Sequence, residues 1–206
     1  MNTIQVEQRT VTPSKVLCVG RNYSEHIAEL SNSVPDHMVV FNKPNSSNSS
    51  TLHSFHSETL HYEGEICFVI MEGKLSYVGF GLDLTKRTLQ SNLKGKGRPW
   101  ERAKAFDGSA VFSRFVPISQ RDLPNLTLEL FINCVRVQSG GTKDMLYPPL
   151  QILDELQSYT SLEDGDVIMT GTPKGVGTIE KGDLFLARIK CQDKTLNETE
   201  RVTKKN

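Results

Sequence analysis

The sequence predicts an α+β protein in which β-strands dominate. Many short apolar runs are separated by glycine, proline or polar turns, whereas two or three segments have the spacing of a helix. The segment 126–132 alternates apolar and polar residues most clearly, as a half-exposed strand does. A chain of 206 residues can bury a sizeable core as one unit, so residues 1–206 are predicted to form a single domain.

The composition argues against several classes of function. Lys plus Arg and Asp plus Glu both number 24, so the formal net charge is zero, whereas binding to nucleic acid or a membrane surface favours a basic excess. No apolar run has membrane-spanning length, and the N-terminus lacks the basic and apolar regions of a signal peptide. We expect a soluble cytoplasmic protein whose four dispersed cysteines are reduced and structural.

Short apolar runs bounded by turn residues give the strand predictions. In chain order these are residues 15–20, 38–41, 66–71, 77–82, 111–116, 126–132, 167–170 and 184–189. The Ser/Asn run 45–51 is expected to be a loop, and so is the basic, glycine-rich stretch 94–100, which lacks the spacing of a phosphate-binding loop. The end of the chain from Lys204 is expected to be frayed.

Three segments are predicted to be helical. A short helix starts near Ser24, its expected N-cap, and is broken at residues 32–35. A second follows Asp83 or Thr85, either of which could cap it. The best candidate opens at two prolines, residues 148–149.

The third helix is expected to bury an apolar stripe. Leu150, Leu153, and Leu156 or Gln157 recur at the spacing of one helical face.

Two carboxylates precede the predicted strand 66–71. Glu63 and Glu65 lie two residues apart, so they point to the same side of a strand. Such a pair repels itself unless a cation or a proton resolves the charge, and oxygen ligands suit Mg²⁺, Mn²⁺ or Ca²⁺ better than zinc. Asp83, at the end of the next strand, is the natural third ligand. The alternatives are a strand end wetted by solvent and an Asp83 that caps a helix.

His26 and Glu29 have the spacing of a base and the group that orients it. Three residues apart, they share one face of the first helix. A carboxylate that holds one imidazole nitrogen leaves the other free to take a proton from water. The alternative is an exposed pair on a surface helix.

Several other polar groups could contact a substrate. Arg87, Gln90 and Lys104 could bind a carboxylate or stabilise an enolate, and the turn 171–173 offers backbone N–H groups and a hydroxyl. Basic residues are more often solvated surface, so these residue types alone do not decide between the two interpretations.

Six ordered motifs run from about residue 15 to residue 189. They are Val19-Gly20-Arg21-Asn22-Tyr23 with His26-x-x-Glu29; Phe41-x-Lys43-Pro44; His61-x-Glu63-x-Glu65; Leu82-Asp83-Leu84-Thr85 with Arg87 and Gln90; Pro99-Trp100 with Ala103-Lys104-Ala105-Phe106-Asp107; and Gly165-Asp166 to Gly177 with Thr-Gly-Thr-Pro-x-Gly-Val-Gly. In this order they resemble the fumarylacetoacetate hydrolase family, most closely its small acylpyruvate hydrolases, which include fumarylpyruvate hydrolase.

The resemblance implies a fold, an assembly and a set of site residues. The family fold is a mixed β-roll with few helices, usually dimeric, so a homodimer is expected. A Mg²⁺ or Mn²⁺ site is implied on Glu63, Glu65 and Asp83. A water-activating dyad of His26 and Glu29 is implied on a segment that orders as a lid. The positions expected to face the substrate are Arg21, Arg87, Gln90, Lys104 and Thr172.

Three departures from the family pattern are visible. The connector between Glu65 and Asp83 is shorter than in most relatives, and Thr88 stands where many relatives have Asp. Asn133-Cys134 replaces the usual Asn-Gly hairpin turn, where glycine would relieve the strain of a positive φ.

The expected reaction is metal-dependent hydrolysis of a carbon–carbon bond in a 2,4-dioxo acid such as fumarylpyruvate or acetylpyruvate. In this hypothesis His26, oriented by Glu29, deprotonates the attacking water, and the metal and Lys104 stabilise the pyruvate enolate that leaves. The loop 45–51 and the lid after Leu30 are expected to contact the distal end of the substrate.

Two alternatives remain open. The same metal site would serve an oxaloacetate decarboxylase or an enzyme that isomerises, tautomerises or hydrates 2-oxo acids. A non-catalytic relative that binds a metal or an oxo acid is the other.

Overall fold

The computed structural model describes residues 1–30 and 33–204. The strands in chain order are β1 (Ile4–Val6), β2 (Arg9–Val11), β3 (Lys15–Gly20), β4 (Val39–Pro44), β5 (Asn48–Ser49), β6 (His61–Tyr62), β7 (Gly64–Met71), β8 (Lys74–Asp83), β9 (Ala110–Phe112), β10 (Val116–Pro117), β11 (Leu126–Ile132), β12 (Val135–Gly141), β13 (Val167–Met169), β14 (Gly177–Thr178), β15 (Leu184–Cys191) and β16 (Lys194–Val202). The α-helices are α1 (Ser24–Glu29), α2 (Arg87–Gly95), α3 (Glu101–Lys104) and α4 (Pro149–Tyr159).

A curled mixed sheet forms the body of the molecule. Its strand order is β4-β3-β13-β7-β8-β9-β5, and β10 pairs with the first half of β8. β13 runs parallel to β3 and antiparallel to β7, which makes the sheet mixed. A four-stranded antiparallel sheet, β12-β11-β15-β16, packs against it, and β1-β2 and β14-β6 form two small pairs. The predicted β-dominated α+β roll is confirmed.

The central strand β7 is covered on both faces. Ile66 and Phe68 point into the core between the two sheets, where they join Leu130 of β11. Cys67 and Val69 point the other way, into a second cluster. This explains the nearly continuous apolar run, since a strand buried on both faces has no polar side to show. The strand is therefore a rigid support for the acidic residues at its N-terminal end.

Most predicted strands are present, with three differences. The predicted strand 111–116 is divided between β9 and β10. The strands that were not predicted are short or largely polar; they are β1, β2, β5, β6, β12, β14 and β16. The main chain of Lys204 exchanges hydrogen bonds with Leu52 and Ser54, so the chain is not frayed there, and residues 205–206 lie outside the described residues.

The predicted helix caps are wrong. Tyr23 is the N-cap of α1, so Ser24 is the first helical residue; the predicted break at residues 32–35 lies partly outside the described residues. Lys86 is the N-cap of α2. Asp83 ends a strand instead, and Thr85 donates its hydroxyl to the Asp83 carbonyl at 3.3 Å. Strand pairing holds both residues away from the helix.

Three further segments differ from the sequence predictions. α4 buries Ile152, Leu153 and Leu156, whereas Leu150 is exposed, so the predicted stripe is rotated by part of a turn. The predicted loop 45–51 contains a 3₁₀ turn and the edge strand β5. Within the predicted loop 94–100, the first two residues belong to α2.

The four cysteines are free, as expected, and Cys18 and Cys67 are buried. In the described residues, no helix has the length and apolar character needed to cross a membrane.

The β11–β12 hairpin turn carries backbone strain. Asn133 and Cys134 have φ values of 50° and 67°, in the left-handed region that glycine tolerates best. The side chain of Cys134 is exposed, so its burial does not offset this strain.

Replacing Cys134 with glycine should therefore stabilise the protein. We expect Cys134→Gly to raise the free energy of unfolding by about 0.5–1 kcal/mol, because relief of the left-handed strain outweighs the larger entropy of glycine in the unfolded chain. Thermal unfolding measures this as a rise of roughly 1–4 °C. Cys134→Ala, which keeps the Cβ, is the control and should give no gain. An equal gain from both variants would contradict the strain argument.

Candidate metal centre and active site

Strand pairing brings three carboxylates together. The N–H of Asp83 donates to the carbonyl of Glu63 at 2.9 Å, and Glu65 lies opposite Gly81 in the β7–β8 ladder. One carboxylate oxygen from each of Glu63, Glu65 and Asp83 lies within 4.8 Å of the other two. All three side chains are buried, so a wetted strand end is not what forms.

Lys104 lies between two of these acids. Its Nζ is 2.9 Å from Glu63 Oε2 and 2.6 Å from Asp83 Oδ2, and it donates to Thr85 Oγ1 at 2.7 Å. Arg87 forms an ion pair with the other oxygen of Glu63. Burial alone raises the pKa of Glu63, but Lys104 and Arg87 outweigh burial and hold that pKa well below its usual range. Glu63 is therefore a carboxylate that stays charged.

The negative charge of Glu65 is offset by neighbouring positive groups much less than that of Glu63. The N–H of Gly171 donates to its Oε2 at 2.7 Å, and no lysine or arginine forms an ion pair with it within the described ranges. Burial, followed by the charges of Asp83 and Glu63, raises the pKa of Glu65 well above its usual range. Gly171 has a φ of 98°, and an added Cβ would lie 3.0 Å from the carbonyl of Val19, so glycine is required for this approach.

Lys43 is a site residue that sequence reasoning missed. Its side chain is fully buried, and its Nζ lies 2.8 Å from Asp83 Oδ1. The same ammonium donates to the hydroxyl of Ser109 at 3.1 Å and to the carbonyl of Lys104. The available signal was a lysine near the end of an apolar strand, in the motif Phe41-x-Lys43-Pro44, which by itself indicates no role for the lysine.

The three acids fit a hard divalent cation. Asp83 Oδ1 accepts no well-aligned hydrogen bond among the described residues, and Glu65 lacks a counter-charge there. An all-oxygen donor set is the kind that Mg²⁺, Mn²⁺ and Ca²⁺ prefer. The Lys104 ammonium also shows that this position already accommodates a cation. Glu63, Glu65 and Asp83 are thus the residues that would hold the ion.

His26 and Glu29 form a pair in which the histidine is buried and the carboxylate lies at the surface. His26 Nδ1 lies 3.1 Å from Glu29 Oε2, and the N–H of Gly175 donates to Glu29 Oε1 at 2.9 Å. His26 is 6% exposed, whereas Glu29 is exposed, so only the histidine departs from the exposed surface pair considered above. Gly175 has a φ of 100°, and a Cβ there would lie 2.0 Å from the Val137 carbonyl, so only glycine fits. The loop before β14 therefore fixes the carboxylate that holds the histidine.

One narrow cavity is lined by most of the predicted site residues. It is lined by the three acids, by His26, and by the residues expected to face the substrate: Arg21, Arg87, Gln90, Lys104 and Thr172. Its volume is only about 30 Å³, close to that of one water molecule. A substrate is larger than this volume, so side chains that line the cavity have to move before a substrate can bind.

Two of the polar groups expected to face the substrate already have partners. Gln90 Oε1 accepts a hydrogen bond from Arg87 at 2.8 Å. The Thr172 hydroxyl donates to the carbonyl of Gly64 at 2.9 Å and accepts from Gln138 Nε2 at 2.8 Å. Gln138, a buried residue of β12 that sequence reasoning also missed, accepts in turn from the Gly64 N–H at 2.9 Å. It ties the acidic strand to the 171–177 loop.

The expectation that the loop 45–51 contacts the distal end of the substrate is not met within this chain. Residues 48–50 of that loop line a different cavity of about 570 Å³, which contains none of the predicted site residues. Residues 31–32, which belong to the expected lid, lie outside the described residues.

A family model described as "Fumarylacetoacetate (FAA) hydrolase C-terminal" matches residues 15–201. The chain belongs to the fumarylacetoacetate hydrolase family. It is 35% identical to the oxaloacetate tautomerase YcgM of Escherichia coli (strain K12), over 82% of this chain and 85% of that protein. It is 36% identical to the mitochondrial oxaloacetate tautomerase FAHD1 of Arabidopsis thaliana, over 99% of both. A fumarylpyruvate hydrolase of Pseudomonas aeruginosa, solved with Mn²⁺ and pyruvate, is 27% identical, with a TM-score of 0.88 over 100% of this chain and 96% of that one.

The departures from the pattern of the fumarylacetoacetate hydrolase family lie outside the ligand set. The short connector between Glu65 and Asp83 is a tight β7–β8 hairpin, with Glu72 and Gly73 at φ values of 51° and 70°. Thr88 donates its N–H to a surface carboxylate, that of Glu58, at 3.1 Å. All three acids remain in place.

Metal binding should stabilise the protein through Glu65. We expect Mn²⁺ or Mg²⁺ at about 100 times its dissociation constant to add about 2.7 kcal/mol to the free energy of unfolding. Glu65→Gln should lose this gain. Because the Glu65 carboxylate is poorly compensated, the same variant should be no less stable than wild type in EDTA. Asp154→Asn, at an exposed position of α4, is the control. A Glu65→Gln protein that keeps the full metal effect would rule out this ligand.

Lys104 should stabilise the metal-free protein. Lys104→Met leaves Glu63 and Asp83 partly unpaired in the interior, which costs about 3–5 kcal/mol. We expect denaturant unfolding in EDTA to show this loss, and a divalent ion to recover more stability in the variant than in wild type. A Lys104→Met protein as stable as wild type in EDTA would contradict this assignment.

Proposed function

We propose that this protein is a divalent-metal-dependent enzyme of 2-oxo acids whose main reaction is keto–enol tautomerisation of oxaloacetate. The observation that carries the proposal is the buried Glu63–Glu65–Asp83 cluster, which shares one cavity with His26. The relatives named oxaloacetate tautomerase support this choice of reaction, because their similarity extends over most of both chains. Tautomerisation therefore comes before the acylpyruvate hydrolysis expected from the sequence.

The acids and the polar residues around them are proposed to have different roles. A divalent ion held by Glu63, Glu65 and Asp83, with Mg²⁺ as our first choice and Mn²⁺ or Ca²⁺ as alternatives, supplies Lewis-acid polarisation of the 2-oxo carbonyl. Arg21, Arg87, Gln90 and Thr172 are proposed to bind and orient the substrate.

His26 is proposed to move the proton. Its Nδ1 is held by Glu29, so Nε2 is the nitrogen that can remove a proton from C3 of the keto form. The electrons of the C–H bond form the C2–C3 double bond, and the negative charge develops on the 2-oxo oxygen. Lys104 stabilises this enolate, and the protonated His26 returns its proton to the enolate oxygen, which gives the enol and a neutral imidazole. Glu29, fixed by Gly175, acts through the histidine rather than on the substrate.

Hydrolysis of an acylpyruvate is the second candidate. The observation that favours it is the contact between the buried His26 and Glu29, since an oriented imidazole can equally deprotonate a water. The hydroxide would add to the 4-carbonyl, the C3–C4 bond would break, and pyruvate would leave as its enolate. The likeness to the Pseudomonas aeruginosa fumarylpyruvate hydrolase supports this candidate. Decarboxylation of oxaloacetate passes through that enolate as well, and a 33% identical relative from Dictyostelium discoideum is named oxaloacetate decarboxylase.

The proposal includes the other expectations made from the sequence. We propose one catalytic domain over residues 1–206, a homodimer and a cytoplasmic location, with no nucleic-acid or membrane partner. Size-exclusion chromatography with light scattering tests the homodimer directly. A non-catalytic relative is the remaining alternative, and it predicts metal binding without turnover.

His26 should be required for catalysis. With Mg²⁺, we expect wild-type protein to accelerate the loss of enol absorbance of oxaloacetate, and His26→Ala to lower this rate by about 10²- to 10⁴-fold. His37→Ala, at an exposed histidine, is the matched control.

Parallel assays separate the candidate reactions. Pyruvate formation from oxaloacetate reports decarboxylation, and pyruvate formation from acetylpyruvate or fumarylpyruvate reports hydrolysis. Enol loss unaffected by His26→Ala would contradict the proposed role of the histidine. Rapid, His26-dependent turnover of acylpyruvates without tautomerisation would establish the second candidate instead.

A further inference from the structure

Lys94 lies on the face of α2 that lines the cavity. Arg87, Gln90 and Lys94 follow the helical spacing i, i+3, i+7, and all three reach the cavity wall. At 1.5 Å per residue, Lys94 lies about 10 Å farther along the helix axis than Arg87. Arg87 forms an ion pair with Glu63, so it lies beside the carboxylates, and Lys94 follows two turns farther along the same helix face.

The ammonium of Lys94 is held by an aromatic ring instead of a carboxylate. Its Nζ lies 4.6 Å from the centre of the Trp100 ring, and no acidic side chain pairs with it in the part of the chain that the structure describes. The neighbouring cations are already engaged: Arg87 and Lys104 with Glu63, and Arg21 through contacts of its own. Lys94 is thus the cavity cation that is available to a ligand.

The surroundings of Lys94 favour an anion. Burial foremost, and then the charges of Arg21, Lys104 and Arg87, lower the pKa of Lys94 to about 8. A cation placed among other cations gains from a bound negative charge, and a half-buried position strengthens that attraction. The four cations face three carboxylates, and a divalent ion would add further positive charge.

We propose that Lys94 binds the second carboxylate of a dicarboxylic 2-oxo acid and makes the site selective for dianionic substrates. The inference rests on the proposed function, in which the 2-oxo acid end of the substrate lies at Glu63, Glu65 and Asp83. The other end of the molecule then points along α2 toward Lys94. Trp100 holds the ammonium in place, which reduces the entropy lost when the carboxylate binds.

A matched pair of ligands tests this inference. Oxaloacetate and 2-oxobutyrate have the same four-carbon length and the same 2-oxo acid end, but a methyl group replaces the second carboxylate in 2-oxobutyrate. Binding of each freshly dissolved ligand to the Mn²⁺-loaded protein is measured by calorimetry. Lys94→Met removes the charge and keeps the length of the side chain, and Lys94→Arg keeps the charge. Lys96→Met, at the exposed C-cap of α2, is the control.

We expect Lys94→Met to weaken oxaloacetate binding at least about tenfold, as for a lost hydrogen bond between charged groups, and to change 2-oxobutyrate binding by less than about twofold. Lys94→Arg should recover most of the loss, and Lys96→Met should affect neither ligand. Equal weakening of both ligands, or of neither, would overturn the inference.

Turnover is measured separately on the same proteins. A Lys94-dependent preference for oxaloacetate without tautomerisation would contradict the proposed reaction but support this inference. Tautomerisation by a protein that binds both ligands equally before and after Lys94→Met would refute the inference alone.

Discussion

Bringing three carboxylates into the protein interior costs free energy that opposite charge has to offset. Here the offset comes from ammonium and guanidinium groups delivered by three separate segments: Lys43 at the end of β4, Arg87 on α2 and Lys104 on α3. These groups form ion pairs with Glu63 and Asp83, whereas Glu65 accepts a hydrogen bond from the N–H of Gly171. The uneven compensation is what makes the cluster receptive to a further cation.

The fold holds this cluster in position through a core strand and one loop. β7 is buried on both faces, so the acidic strand end cannot move independently of the core. Gly171 brings a backbone donor to Glu65, and Gly175 in the same loop brings one to Glu29. The loop between β13 and β14 thereby couples the acids to the histidine pair. Gln138 adds a further connection between this loop and the acidic strand through hydrogen bonds to both.

Much of the site could be predicted from the sequence because its signals are local. Glu63 and Glu65 precede an apolar strand, Asp83 ends the next one, and His26 and Glu29 share a helix face. The strands with strong apolar runs were found for the same reason.

Other parts depend on contacts between distant segments, which a single sequence does not reveal. Lys43 and Gln138 acquire their roles only when β4 meets α3 and β12 meets the 171–177 loop. The cap predicted at Asp83 failed because strand pairing overrode a local preference. The sequence predicts that Lys94 lies in a basic loop. In the structure it belongs to α2 and lines the cavity.

The central claim is that the acidic cluster takes a hard divalent ion in a position that Lys104 shares in the metal-free protein. Anomalous diffraction from crystals grown with Mn²⁺ tests it most directly. The account predicts one strong peak in contact with Glu63, Glu65 and Asp83, and a Lys104 ammonium that no longer bridges Glu63 and Asp83. A peak at other residues, or Lys104 still bridging the two acids with no peak between them, would contradict it.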